Sequence, residues 1–301
     1  MKKKLLKSVG LVIIIVMSIV VSTYGEMKSI PGVPTLFGGI MGALLSPFFA
    51  SIVDLTDNQN WKSSQRKLER KEELKKDTPI RISFAYLFRI KVDGKYFLVR
   101  NNHSKKYQPV GGAYKFDEIE ANYLSEHIPV ENDNRIPVNE ITKRDYRLIV
   151  KNHQLRKFVK RFNRTTHREN INDVSREFIE ELIKPGILEK KSFGDLSYRY
   201  CGRHMTPITY GKIFSNYELL FADIIDVQLS EKQEELFRAL MEKENDYYCF
   251  ASVEEIESLG VVCGKNKFTD DIANHTPKIL SANAEELTMK NSYKETITVK
   301  L

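Results

Sequence analysis

The chain has 301 residues, 42% of them hydrophobic and 29% charged, which suits one folded domain of ordinary size with additional segments. Its 47 basic and 40 acidic side chains leave a formal charge of +7, an excess that matters only where it is concentrated. Cys201, Cys249 and Cys263 are odd in number and lack CxxC spacing, so neither a disulfide framework nor a zinc site is indicated, and a reduced, cytoplasmic domain is the simpler reading.

From Leu5 to Val21 only Lys7 is charged, and a second uncharged stretch runs from Ser29 to Val53. Each is long enough for a helix to cross a bilayer core, which takes about 17 to 25 residues. The short interval Thr23 to Lys28 predicts a two-helix transmembrane hairpin over residues 1–55. A cleaved signal peptide is the alternative for the first stretch, and the second stretch argues against it. Lys2, Lys3 and Lys4 flank one end and Lys62, Arg66, Lys67 and Arg70 follow the other, which predicts a cell-membrane protein with two spans and with both termini and the C-terminal domain in the cytoplasm. Gly38, Gly42 and Ser46 recur every four residues, a small-residue face that allows hairpin packing or a homo-oligomer.

Residues 56–78 are polar and rich in lysine and arginine, the composition of a juxtamembrane helix or linker drawn to anionic membrane lipids. Thr78-Pro79 closes it, because the residue before proline is pushed toward an extended conformation. Ile80, Ile82, Phe84, Tyr86, Phe88 and Ile90 then alternate with other residues at the period of a half-buried strand. Asp93-Gly94 predicts a hairpin turn, with Tyr96 to Arg100 as the returning strand. Further on, 197–201, 208–214 and 219–227 read as strands, Ser230 as the cap of a helix through Met241, and 247–250 as a strand before a short helix at 252–256. Residues 281–301 form a polar tail.

Two stretches carry chemistry. In Arg176-Glu177-Phe178-Ile179-Glu180-Glu181, helical spacing crowds Glu177, Glu180 and Glu181 on one side. Their repulsion makes sense if a divalent cation or a neighbouring arginine neutralises them, and hard cations such as Mg²⁺ or Mn²⁺ prefer such oxygen ligands. A solvated acidic face, with Arg176 paired to Glu180, is the plainer alternative. From Lys143 to Arg168 there are ten basic residues against the single acid Asp145. This concentration fits an anionic partner or a basic face near the membrane. Within it, Leu155, Phe158, Val159 and Phe162 fall on one side of an amphipathic helix over 151–163.

Gly112, Glu118, Arg176, Glu177, Phe178, Glu180 and Glu181 fill positions of the Nudix signature, and on these residues the chain resembles the Nudix hydrolases. It departs from them in an insertion of 50 residues between the halves of the box (about 126–175) and in Ile183 at the closing glycine position. Asp145-Tyr146-Arg147-Leu148-Ile149-Val150, Leu155 and Phe158, and Arg168-Glu169 before the box resemble the SMODS-associated Nudix family. With the anchor in front, the chain is similar to membrane-bound Nudix effectors of bacterial CBASS anti-phage systems. The resemblance implies an α+β Nudix-like domain over 79–280, a mixed sheet packed between helices with an insertion inside the Nudix box. It also implies a nucleotide ligand, among them a cyclic nucleotide made by a partner CD-NTase, and a location in the bacterial inner membrane.

If the domain is catalytic, the resemblance implies hydrolysis of a phosphoanhydride or phosphodiester. Glu177, Glu180, Glu181 and the Gly112 carbonyl would hold Mg²⁺ or Mn²⁺, Arg176 and Glu177 would be the catalytic pair, and Glu244, Asp246, Glu254 and Glu255 are the choices for a later carboxylate. Gly111, Gly112, Arg147 and Arg168 would bind ligand. A membrane-tethered pyrophosphohydrolase and a non-catalytic lipid- or nucleic-acid-binding adaptor are the competing functions.

Overall fold

The computed structural model describes residues 2–28, 30–33, 35–40, 42–44, 60–133, 142–212, 214–243, 245–262, 267–280, 287–289 and 295–301, in two units, 1–63 and 64–301. Ser46, Glu244 and Cys263, named above, lie outside the described residues.

In the first unit one helix, Lys2–Met27, carries an apolar stretch from Gly10 to Met27 long enough to cross a membrane. Val12, Ile13, Val16, Met17 and Val20 are exposed on it. Of the expected hairpin, this first helix is the part described in full. The second apolar helix is described only over Thr35–Leu44, about half the length a crossing needs, and residues 45–59 lie outside the described residues. One possible span is present, and a second span with its topology is not supported.

The second unit is built on strand β1 (Pro79–Arg89). Ile80, Ile82, Phe84, Tyr86 and Phe88 are wholly buried along one face, as their alternation predicts. The turn at Asp93 and Gly94, both with positive φ, returns the chain from β2 (Lys91–Val92) to β3 (Lys95–Arg100), paired as Lys91 with Tyr96. The large sheet runs β12 (Ile297–Val299, within the expected tail), β8 (Leu196–Met205), β10 (Asn216–Val227), β1, β7 (Arg147–Lys151) and β6 (Val130–Asn132). Strand β5 (Gly111–Ala113) also pairs with β1, and β9 (Thr209–Gly211) with β10. β1 and β10 are parallel, whereas β5, β7 and β8 run against them, which gives the mixed sheet that was expected. A smaller sheet joins β2, β3, β4 (Tyr107–Gln108) and β11 (Tyr248–Ala251).

Aromatic rings fill the buried face of β1. Phe84 stacks on Phe221 at 4.3 Å and meets Phe162 edge-on at 4.6 Å, and Phe88 meets Phe178 of the box helix at 5.8 Å. Phe162 belongs to the helix Leu155–Phe162, whose Leu155, Phe158, Val159 and Phe162 are buried. The inserted segment is therefore part of the core.

The insertion also begins and ends earlier than the spacing predicts. The Lys115 N–H donates to Glu169 Oε2 at 2.8 Å, and the Glu169 N–H donates to the Lys115 carbonyl at 2.9 Å. The chain leaves the box at Lys115 and re-enters it at Glu169, so residues 116–168 are the excursion. The stretch expected as a juxtamembrane helix or linker is helical over Asn60–Arg70. Gln65 donates to Asn152 Oδ1 at 2.7 Å, Arg156 donates to Gln65 at 2.8 Å and Asn152 donates to Glu69 at 3.0 Å, which fixes this stretch to the folded unit.

Candidate functional site

The box helix starts at Ser175–Phe178 and widens over Ile179–Ile183 into a π turn, with the Lys184 N–H donating to the Ile179 carbonyl. Such turns are rare and recur at functional sites. Ile183 thus closes a wide turn, and Gly186, with φ of 76°, ends the helix two residues after Lys184.

This helix faces strand β5. Gly111 donates its N–H to Glu181 Oε2 at 2.9 Å, with φ of 146° and a Cα so close to β1 that a side-chain carbon would lie 2.2 Å from the Tyr86 carbonyl. At Gly112 the same carbon would lie 2.0 Å from Glu177 Oε1. At Gly111, where the neighbour is backbone and φ is positive, only glycine permits the approach.

Arg176 holds the centre of the cluster. Its Nε and Nη2 donate to the two oxygens of Glu169 at 2.5 and 3.1 Å, its Nη1 donates to Glu177 at 2.7 Å and Glu180 at 3.3 Å, and its Nη2 also reaches the Ala113 carbonyl at 2.8 Å. The planar guanidinium matches this bidentate geometry.

Four carboxylates crowd one arginine, and the imbalance appears in their protonation. Burial, and then the Glu177 charge, push the Glu181 carboxyl up to about 8. Burial also raises Glu177, against the pull of Arg176. The Tyr86 hydroxyl is buried without a hydrogen-bond partner among the described residues. Burial, and then Glu169, keep it protonated.

The structure therefore brings together Gly111, Gly112, Arg176, Glu177, Glu180 and Glu181. Glu118 stays apart, exposed and 3.4 Å from Arg144. The partner of Arg176 is Glu169, which sequence reasoning passed over. Its signal was the Arg168-Glu169 pair just before the box, hidden because motif spacing pointed to Glu118.

Arg147 makes no hydrogen bond or ion pair with the cluster among the described residues, and Arg168 reaches it only through the Glu169 backbone. Arg168 is a structural brace: Nε donates to the Phe162 carbonyl at 2.9 Å, Nη1 donates to the Glu169 carbonyl, and the guanidinium lies over the Phe162 ring at 4.0 Å. Arg147 sits on β7 beside Ser83 and 3.4 Å from Asp145.

The basic run is likewise less free than its local count predicts, because acids from elsewhere meet it. Arg161 binds Glu120, Arg144 meets Glu118, Lys151 lies 3.8 Å from Asp77, and Lys157 donates to the His127 carbonyl at 2.7 Å.

A hard divalent cation would suit the chemistry of these glutamates but not their arrangement. Among the described residues no three His, Cys, Asp or Glu side chains converge on one point. Glu177 and Glu180 are turned onto Arg176, and Glu181 onto the Gly111 amide. As placed, the cluster is an acidic wall beside a glycine strand. It can fix a backbone and present protonatable oxygens, but it does not form a ready metal cage.

Among known proteins, the sequence profile of the SMODS-associated NUDIX domain matches residues 79–280. No curated protein and no solved structure matches the chain.

Proposed function

Because the chain belongs to the SMODS-associated NUDIX family, we propose that it is a membrane-anchored effector of a CBASS antiviral system, whose Nudix domain recognises a cyclic nucleotide made by a partner CD-NTase. Recognition leads to membrane damage or growth arrest. The observation that carries this reading is the pairing, in one chain, of that domain with an N-terminal helix long and apolar enough to cross a membrane. The box supports recognition over turnover, since its carboxylates are engaged by Arg176 and Gly111 and do not converge. The test is growth of a bacterial host expressing the full chain with a CD-NTase, together with calorimetry of the purified chain in detergent against cyclic di- and trinucleotides. Binding, with arrest that disappears on deleting residues 2–27, supports the reading. A chain that binds no cyclic nucleotide and leaves growth unchanged overturns it.

A second reading, a tethered nucleotide pyrophosphohydrolase, is favoured by the gathering of Glu177, Glu180 and Glu181 on one helix beside the glycine strand. It requires the glutamates to rotate off Arg176 and the Gly111 amide. Metal-dependent release of nucleotide products, lost in Glu180→Gln and Glu181→Gln, would select it.

A further inference from the structure

Strands β7 and β6 end the large sheet, and their pairing sets Asn132 opposite Leu148. Val130, two residues from Asn132, points the same way. Facing them is the helix Glu118–His127, whose Ala121, Leu124 and Ser125 fall at i, i+3 and i+4 on one side. The two surfaces do not close on each other. Between them lies a cavity of about 310 Å³, within the range of small-molecule sites, about 300–1,000 Å³. Leu124 and Leu148 are its buried floor, Ala121, Pro129 and Val130 add apolar walls, and the exposed Ser125 and Asn132 stand at its rim. Phe116 and the turn at Lys143 and Arg144 complete the lining, joined by the Phe116 N–H, which donates to the Arg144 carbonyl at 3.0 Å.

Every one of these residues belongs to the excursion 116–168, so the interruption builds a cavity of its own, apart from the box carboxylates. The two are close along the chain, since Ala113, whose carbonyl holds Arg176, is three residues before Phe116. The rim carries a surplus of positive charge. Lys143 has no ion pair among the described residues, and Arg144 meets Glu118 at 3.4 Å, an exposed pair that costs little to break. Asp145, next along the turn, is engaged by Lys115 and Arg147. A ligand that matches this lining has flat apolar faces, a polar edge and a negative charge. A nucleotide has all three. An acyl chain would suit the apolar walls but offer nothing to Asn132 or Ser125.

We propose that the cavity between the helix Glu118–His127 and the β6–β7 edge takes the base of the nucleotide ligand, with Lys143 and Arg144 on its phosphate. This site rests on the nucleotide-recognition reading for the identity of its ligand, and on the cavity for its place. Phe116 supplies a ring on which any base can stack. The Asn132 amide offers a donor and an acceptor side by side, which selects among base edges, and the Ser125 hydroxyl can play either part. Arg144 holds phosphate through its planar fork and Lys143 as a point charge.

The test is calorimetry on the full chain in detergent, with cyclic di- and trinucleotides, with AMP, GMP and UMP, and with laurate as the acyl competitor. Ser125→Trp fills the cavity from an exposed helix position and should weaken nucleotide binding about tenfold or more while the melting temperature stays put. Asn132→Ala should weaken it about fivefold and narrow the differences among bases. Lys143→Met and Arg144→Met should each cost about threefold, with a shallower dependence on salt. Lys232→Met, an exposed cation on another helix, should change nothing. Phe116→Trp reads the contact directly, its fluorescence quenched as nucleotide saturates and unmoved by inorganic phosphate. Cyclic-nucleotide binding unchanged in Ser125→Trp and Asn132→Ala overturns the pocket and leaves the recognition reading standing. Mononucleotide binding that Ser125→Trp removes, in a chain that binds no cyclic nucleotide, supports the pocket and overturns that reading. A wild-type chain that binds none of the nucleotides, or binds laurate in their place, overturns the pocket.

Discussion

The two faces of the large sheet treat buried charge in opposite ways. On the face shared with Tyr86, Arg203 and Asp223 form a two-pronged pair at 2.8 and 2.8 Å, Tyr114 and Tyr200 donate to the same carboxylate at 2.7 and 2.9 Å, and Asn163 accepts the remaining guanidinium nitrogen at 2.8 Å. Each charged atom there has a partner. On the other face burial holds Lys278 and His275 below their usual ranges, and neither has an ion pair to a carboxylate among the described residues. The first cluster is closed and specifies structure. The second is open, and the box, with Glu169, Glu177 and Glu180 on one arginine, is open with the opposite sign. Completeness of pairing separates scaffold from site here better than the number of charges does.

The strongest way to break this comparison is to open the closed cluster. Asp223→Ala leaves Arg203 buried and unpaired and should cost roughly 3–5 kcal/mol, measured as the shift of a urea transition. A loss below about 1 kcal/mol would place that pair with the open clusters. Arg176→Ala strands Glu169, Glu177 and Glu180 and should cost about 3 kcal/mol at pH 7, with the loss shrinking as pH falls and the carboxylates protonate.

Acid should sharpen the comparison by separating the faces. Unfolded histidine binds its proton near pH 6.5, whereas folded His275 resists it until about 4. Between those values the unfolded chain holds more protons, so stability rises with pH and falls as the solution is acidified through this window, by up to about 3 kcal/mol. His275→Gln should flatten that slope. Asp223 is held below the usual carboxylate range chiefly by Arg203, against its burial. Its contribution is present above the unfolded carboxylate value and disappears only in more acid solution, as pH falls through the depressed value. A control at neither cluster is Ser230→Ala, which removes a capping box with Gln233 and should cost about 1 kcal/mol at every pH.

Much of this was legible in sequence because local rules acted without competition. The alternation over 80–90, the Asp93-Gly94 turn, the Ser230 cap and the apolar stripe of 155–162 all appear where their patterns put them. The glycine strand and the Arg176 to Glu181 helix also come together as the motif implies. What stayed hidden depended on contacts across long separations. Glu169 replaces Glu118 because the excursion closes at Lys115, a pairing that no spacing within the box encodes. The basic run looked unopposed because Glu118, Glu120 and Asp77 lie outside it in sequence. Lys278 and His275 carried no motif, and their partial burial exists only once the turn 276–279 rests on the sheet.

The paired backbone of Lys115 and Glu169 bears on how a signature can be interrupted so widely and still close. Loop entropy grows with the logarithm of length, each doubling adding about 0.6 kcal/mol. Stretching a link of ordinary box length to residues 116–168 is about three doublings, or roughly 2 kcal/mol. Inserting Tyr146, Phe158 and Phe162 into the interior returns about 1.5–3 kcal/mol for each ring. The interruption is therefore seated in the interior by its own rings close to where its ends meet.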